Sequence, residues 1–90
     1  MRFAGAVLPR THLHDGGWLI ETFPSTGSTS IEEVRYQVST ATLDVVFRQG
    51  ETYRYFLVPR RLLSELLAAP SAGRYFTTHI RPRFKEQRIQ

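Results

Sequence analysis

The chain has 90 residues, 41% apolar, 12% aromatic and 22% charged, which describes one globular domain and excludes both a second core and a disordered polyelectrolyte. It has no cysteine, so disulfides and thiolate metal centres are excluded, and its apolar runs are too short to span a bilayer; a cytoplasmic protein with no membrane role is expected. The net charge of +4 is segregated: from Arg74 onward stand five bases (Arg74, Arg81, Arg83, Lys85, Arg88) and one acid, Glu86, whereas residues 1–73 hold seven of each.

Residues 1–16 show no clean period, and the apolar stretch at residues 3–8 is too brief for a signal-peptide core. Gly16-Gly17 separates them from residues 18–23, a predicted strand that stops at Pro24. Residues 25–30 are a polar loop. Residues 1–27 are therefore predicted as an N-terminal extension with one strand. A β-meander follows. Val34, Tyr36 and Val38 alternate with Arg35 and Gln37, as in a half-buried strand. Residues 39–42 turn the chain, and Leu43, Val45 and Phe47 then alternate with Asp44, Val46 and Arg48.

Gly50 marks the next hairpin, and its turn type decides which way the third strand, residues 52–58, faces. A two-residue Gln49-Gly50 loop needs positive φ at both residues, whereas a three-residue loop needs it at Gly50 alone. The longer loop pairs Val45 with Tyr53 and Leu43 with Tyr55, and sets Asp44 opposite Arg54 as a cross-strand ion pair. Both tyrosines then share the apolar face. Phe56 and Val58 point the other way with Val46, which predicts a central strand whose second face is covered by the helix that follows. Pro59 suits a first helical position, and Leu62, Leu63, Leu66 and Leu67 recur at helical spacing until Pro70. Ser71 caps a second short helix that carries Phe76 and Ile80 on one face and stops at Pro82. The predicted class is α+β: a bent antiparallel β-meander, curling into a half-open small barrel of the Sm or SH3 kind, with two short C-terminal helices.

Several residues are candidates for chemistry. Tyr53 and Tyr55, two apart on a strand, lie about 6.7 Å from each other, a spacing that suits stacking of unpaired bases. The same face holds Leu43, Val45 and Phe47, so the register favours rings packed in a core with hydroxyls at its rim. Ser71, Gly73 and Arg74 at a helix start suit a phosphate, and ordinary capping explains the same residues. Tyr75, beside the inward-facing Phe76, is the exposed ring. Arg81, Arg83, Lys85 and Arg88, with Phe84 among them, can neutralise backbone phosphates; a frayed terminus collects charge in the same way. His12 and His14 alternate as strand-borne metal ligands would, with His79 as a third, but no pattern around them supports a closed site, and neither metal nor cofactor is expected. Ser64 and Glu65 have no histidine at a meaningful spacing, and there is no glycine-rich nucleotide loop.

Ser28 to Ser30 before the first meander strand, Leu43-x-Val45-x-Phe47, Gly50, Tyr53-x-Tyr55, Val58-Pro59, and Ala69 to Phe76 with Ile80 resemble the KTSC domain. That family is named for the C-terminus of some lysyl-tRNA synthetases and also occurs as a free-standing small protein. The resemblance spans roughly residues 28–84, leaving residues 85–90 as a basic tail. Thr77 stands where members often have Asn, and Gln37 where Asp is common, changes that touch caps and turns. The resemblance implies a fold and supplies no catalytic residues; the synthetase setting implies tRNA or another RNA as partner. The expectation is a non-catalytic module that binds RNA, either tRNA or single-stranded, through Arg74, Tyr75, Arg81, Arg83, Lys85 and Arg88, with Tyr53 and Tyr55 as secondary stacking candidates. The alternative is a protein-interaction or self-assembly module, a homo-oligomer joined through a sheet edge or the exposed side of the leucine helix.

Overall fold

The computed structural model describes residues 10–14, 18–24 and 30–90, with side chains described at 20–24 and 30–90. Six strands make one antiparallel sheet in chain order: β1 (Arg10–His14), β2 (Trp18–Pro24), β3 (Ile31–Gln37), β4 (Thr42–Phe47), β5 (Thr52–Tyr55) and β6 (Glu86–Arg88). Pairing joins sequence neighbours throughout, so among the described residues the sheet is open, with β1 and β6 as its edges. Two helices, α1 (Arg60–Ala68) and α2 (Ala72–Tyr75), fall between β5 and β6, and α2 continues into a π-helical turn over Phe76–Ile80. The fold is therefore α+β, as expected.

The β4–β5 hairpin has the expected register: Val45 faces Tyr53, Asp44 faces Arg54 and Leu43 faces Tyr55. The Phe47 amide donates to the Glu51 carbonyl at 2.8 Å and the Gly50 amide to the Phe47 carbonyl at 2.9 Å, with Gly50 at φ 105. One residue at positive φ closes the three-residue loop, and glycine occupies it without a Cβ penalty. In β3 the register against β4 shifts between Ile31 and Glu33. This bulge turns Ile31 onto the same buried side as Val34 and Tyr36, while Glu32 stays in solvent.

Three expectations are corrected. Residues 10–14, aperiodic in sequence, form β1, which pairs with β2 from Arg10 opposite Thr22 to His14 opposite Trp18. The third meander strand ends at Tyr55 instead of Val58, because Leu57 takes φ 58 and bends the chain there. Val58 consequently turns into the same core as Leu43 and Tyr55, and the Val58 amide donates to the Ala41 carbonyl at 2.8 Å. The helices therefore cover the face that carries the tyrosines, not the opposite one. Leu62, Leu63, Leu66, Phe76 and Ile80 all pack there with Val34, Tyr36, Leu43, Val45 and Tyr55. Finally, residues 85–90 are not a frayed tail: β6 pairs with β5, and the Thr52 carbonyl accepts from the Ile89 amide at 2.9 Å.

Pro59 is the residue before α1 and not its first member, a shift of one position. The other face of the sheet carries a polar row. The register sets Thr22, Arg35, Asp44, Arg54 and Gln87 in one row across β2 to β6. There Arg54 grips Asp44 with two parallel bonds, Nε to Oδ1 at 2.8 Å and Nη2 to Oδ2 at 3.0 Å. That fork geometry is the stronger form of an arginine–carboxylate pair. No helix among the described residues is long and apolar enough to cross a membrane.

Candidate nucleic-acid interface

The π-turn and the segment after it position the C-terminal cations. Ser71 is the cap of α2, its Oγ accepting from the Arg74 amide at 3.2 Å. The turn that follows is wide: the Arg81 amide reaches back five residues to the Phe76 carbonyl at 2.9 Å. This spacing keeps Phe76 and Ile80 both buried and swings Arg81 into solvent. The Arg83 and Phe84 amides then both bond the Ile80 carbonyl, at 3.1 and 3.2 Å, and Phe84 packs on the margin of the core. From there the chain reaches the edge of β5, where the Lys85 carbonyl accepts from the Phe56 amide at 3.1 Å.

Arg74, Arg81, Arg83, Lys85 and Arg88 are all exposed. Among the described residues, Arg35, Arg54, Arg60 and Arg61 form ion pairs with Glu33, Asp44, Glu21 and Glu65, whereas none of those five cations pairs with an Asp or Glu, and Arg88 Nε donates to the Gln90 main-chain oxygen at 3.3 Å. Arg74 projects from α2, Arg81 and Arg83 from the turn after it, and Lys85 and Arg88 from the edge strand. Arg81 and Arg88 both adjoin Tyr53: Arg81 lines a cleft with it, and Arg88 is its partner in the β5–β6 register. The one acid of this region, Glu86, is taken by a tyrosine hydroxyl, since Tyr55 Oη donates to Glu86 Oε1 at 2.6 Å.

The aromatic candidates fare differently. Tyr55 is 1% exposed, with its ring edge-on to Phe76 at a centroid distance of 5.3 Å. No face of it is open to a base, which corrects its stacking role. Burial and then the bond to Glu86 push its hydroxyl pKa well above the ordinary tyrosine range. Tyr53 is half-buried, edge-on to Phe47 at 6.0 Å. Tyr75 is likewise half-buried and is not the free ring expected from sequence. It stacks on His79 at 4.3 Å with 19° between the planes, and its Oη donates to Glu65 Oε1 at 2.6 Å. That hydroxyl holds the Glu65 carboxyl below its ordinary pKa, with Arg61 assisting. Sequence reasoning missed the Glu65–Tyr75 bond because it joins two helices ten residues apart with no local pattern.

Two further expectations meet the structure here. The leucine stripe of α1 offers no docking surface: Leu62, Leu63 and Leu66 are buried and Leu67 packs against the core. The side chains of His12 and His14 lie outside the described residues, and His79 is engaged by Tyr75; among the described residues no three His, Cys, Asp or Glu side chains converge to hold a metal.

The architecture defines a small open-sheet α+β domain with helices on one face and a cationic rim that has no Asp or Glu partner among the described residues. The family model described as the KTSC domain matches residues 27–84, and the chain belongs to that family. It is 42% identical over 59 residues to a lysine–tRNA ligase of Trichormus variabilis, a match covering 66% of this chain and 10% of the ligase. The chain thus spans a tenth of the length of that relative. A short protein of Tsukamurella paurometabola is 38% identical over 58 residues, covering 64% of this chain and 87% of the relative. The crystal structure of a KTSC domain protein from Yersinia pestis superposes with a TM-score of 0.71 at 32% identity, covering 79% of this chain and 99% of that one.

Proposed function

We infer that the protein is a non-catalytic, cytoplasmic RNA-binding module whose cationic rim grips the phosphate backbone of tRNA or single-stranded RNA. The observation that carries this reading is the set of five exposed cations, Arg74, Arg81, Arg83, Lys85 and Arg88, with no Asp or Glu partner among the described residues. A cation that no protein acid neutralises keeps its full attraction for phosphate and releases condensed counterions on binding. Likeness to a segment of lysine–tRNA ligases supports RNA over other polyanions. Tyr75 drops out as a stacking platform, since His79 holds one face of its ring and Glu65 its hydroxyl.

The test is fluorescence anisotropy with labelled tRNA and labelled single-stranded RNA across a salt series. Contacts to four or five phosphates give a slope of about −3 to −5 in log K against log salt. Charge reversal at Arg81, Arg83 and Lys85 abolishes binding and leaves the circular dichroism spectrum unchanged. Absence of binding at low salt, or affinity indifferent to salt, overturns the reading.

A further inference from the structure

Beside the cationic rim, the β4–β5 hairpin and the residue that ends the π-turn enclose an open cleft of about 190 Å³, lined by Phe47, Glu51, Tyr53, Tyr55 and Arg81. Its size lies below the roughly 300 Å³ at which sites for drug-sized ligands begin, which leaves room for one flat ring system. Tyr55 is buried, so the half-buried Tyr53 and Phe47, edge-on to one another, are the rings the cleft exposes.

The charges in this cleft are unusual. Glu51 and Arg81 have opposite signs and line the same small space, yet they form no ion pair with each other or with any other described residue. The Glu51 backbone is fixed by the bond from the Phe47 amide, which leaves its carboxylate as the free part of the residue. A carboxylate only accepts hydrogen bonds and a guanidinium only donates them. A ligand that satisfies both must carry donors on one edge and acceptors on the next, around an apolar plane that Tyr53 can contact. A cationic side chain meets repulsion from Arg81, and a simple anion meets it from Glu51. Among the bases, guanine alone offers two adjacent N–H donors, N1 and N2, which a carboxylate accepts in parallel, next to the O6 and N7 acceptors that arginine recognises. Adenine and cytosine present a carboxylate with one exocyclic amine, and uracil with one ring N–H.

We propose that this cleft binds one unpaired guanine, with Glu51 accepting from N1 and N2, Arg81 donating to O6 or N7, and the Tyr53 ring against the base. The proposal rests on the RNA-binding reading for its biological ligand, but the cleft can be tested separately. The protein is titrated with GMP, AMP, CMP and UMP while backbone amide shifts of Glu51, Tyr53 and Arg81 are followed by NMR. In parallel, anisotropy compares labelled oligouridine carrying a single central guanine or a single central adenine. GMP moves those three amides and binds about 5- to 150-fold more tightly than the other nucleotides, the range one bidentate pair supplies. Glu51→Gln, which keeps the size and loses one of the two acceptor oxygens, removes the preference. Equal response to all four nucleotides, no response to any, or a preference that survives Glu51→Gln overturns the proposal. Guanine preference for GMP without any polyanion binding keeps the cleft and sinks the cationic rim; salt-dependent RNA binding indifferent to the central base does the reverse.

Discussion

Removing one hydroxyl from each of two buried tyrosines separates bond length from burial as the determinant of stability. Tyr36 Oη donates to the Val58 carbonyl at 2.8 Å, a neutral bond in which donor and acceptor residues are both buried, 3% and 0% exposed. Tyr55 Oη donates to Glu86 at 2.6 Å, a shorter bond assisted by charge, but Glu86 is exposed. Taken by geometry alone, Tyr55→Phe is the more damaging change. The environment reverses the order. Tyr36→Phe removes a hydrogen bond and strips a buried carbonyl of the hydroxyl that satisfied it, for about 2 kcal/mol, whereas after Tyr55→Phe water solvates the Glu86 carboxylate and the loss is about 1 kcal/mol or less. The Arg60 guanidinium lies 5.8 Å above the Tyr36 ring, and phenylalanine preserves that contact, so the comparison isolates the hydroxyl. Urea denaturation read at constant m reports both values, and for a domain of this size each kcal/mol moves Tm by about 4–8 °C. A Tyr55→Phe loss equal to or larger than that of Tyr36→Phe refutes the argument.

Further outcomes follow from the same structure. Burial holds the Tyr36 and Tyr55 hydroxyls above the ordinary value of 10.0, so their neutral forms are favoured in the folded state. The unfolded chain then loses protons first as pH rises past about 10; stability is complete below that pH and falls above it, and the Tyr36→Phe/Tyr55→Phe double variant shows a shallower alkaline decline in thermal melts. Two of the three described residues at positive φ, Gly50 and Leu57, separate backbone strain from packing. A Cβ at Gly50 meets nothing within 4 Å, so Gly50→Ala costs about 1 kcal/mol through φ alone; Leu57, at φ 58 and 75% exposed, gains up to about 1 kcal/mol on replacement by Asn, with chemical denaturation reading both.

What could be read without coordinates was whatever a short stretch of chain settles through its own stereochemistry. Gly50 needs only its missing Cβ to close a three-residue loop, and from that loop the alternation of Leu43, Val45 and Phe47 sets the register, the burial of Tyr55 and the pairing of Asp44 with Arg54. Leucine spacing and Pro70 delimited α1 in the same local way. The concentration of unbalanced arginines after Gly73 was likewise plain, being a matter of counting.

The remainder came from contacts between distant parts of the chain. Glu86–Arg88 contains no apolar residue and has no strand signal of its own; it becomes β6 because β5 presents an unpaired backbone edge more than 30 residues earlier in the sequence. Leu57 gives no warning that it will adopt a left-handed conformation, yet that turn swings Val58 and α1 onto the tyrosine-bearing face and so decides which side of the sheet is covered. Tyr75 was placed in solvent by its neighbour in the chain, and is instead claimed by Glu65 and His79 from two other positions. The meeting of Glu51 with Arg81 across one cleft is of this kind too. Local stereochemistry carries turns, registers and charge distribution, while edges, faces and clefts arise only when the packed core brings remote backbone and side chains to a common place.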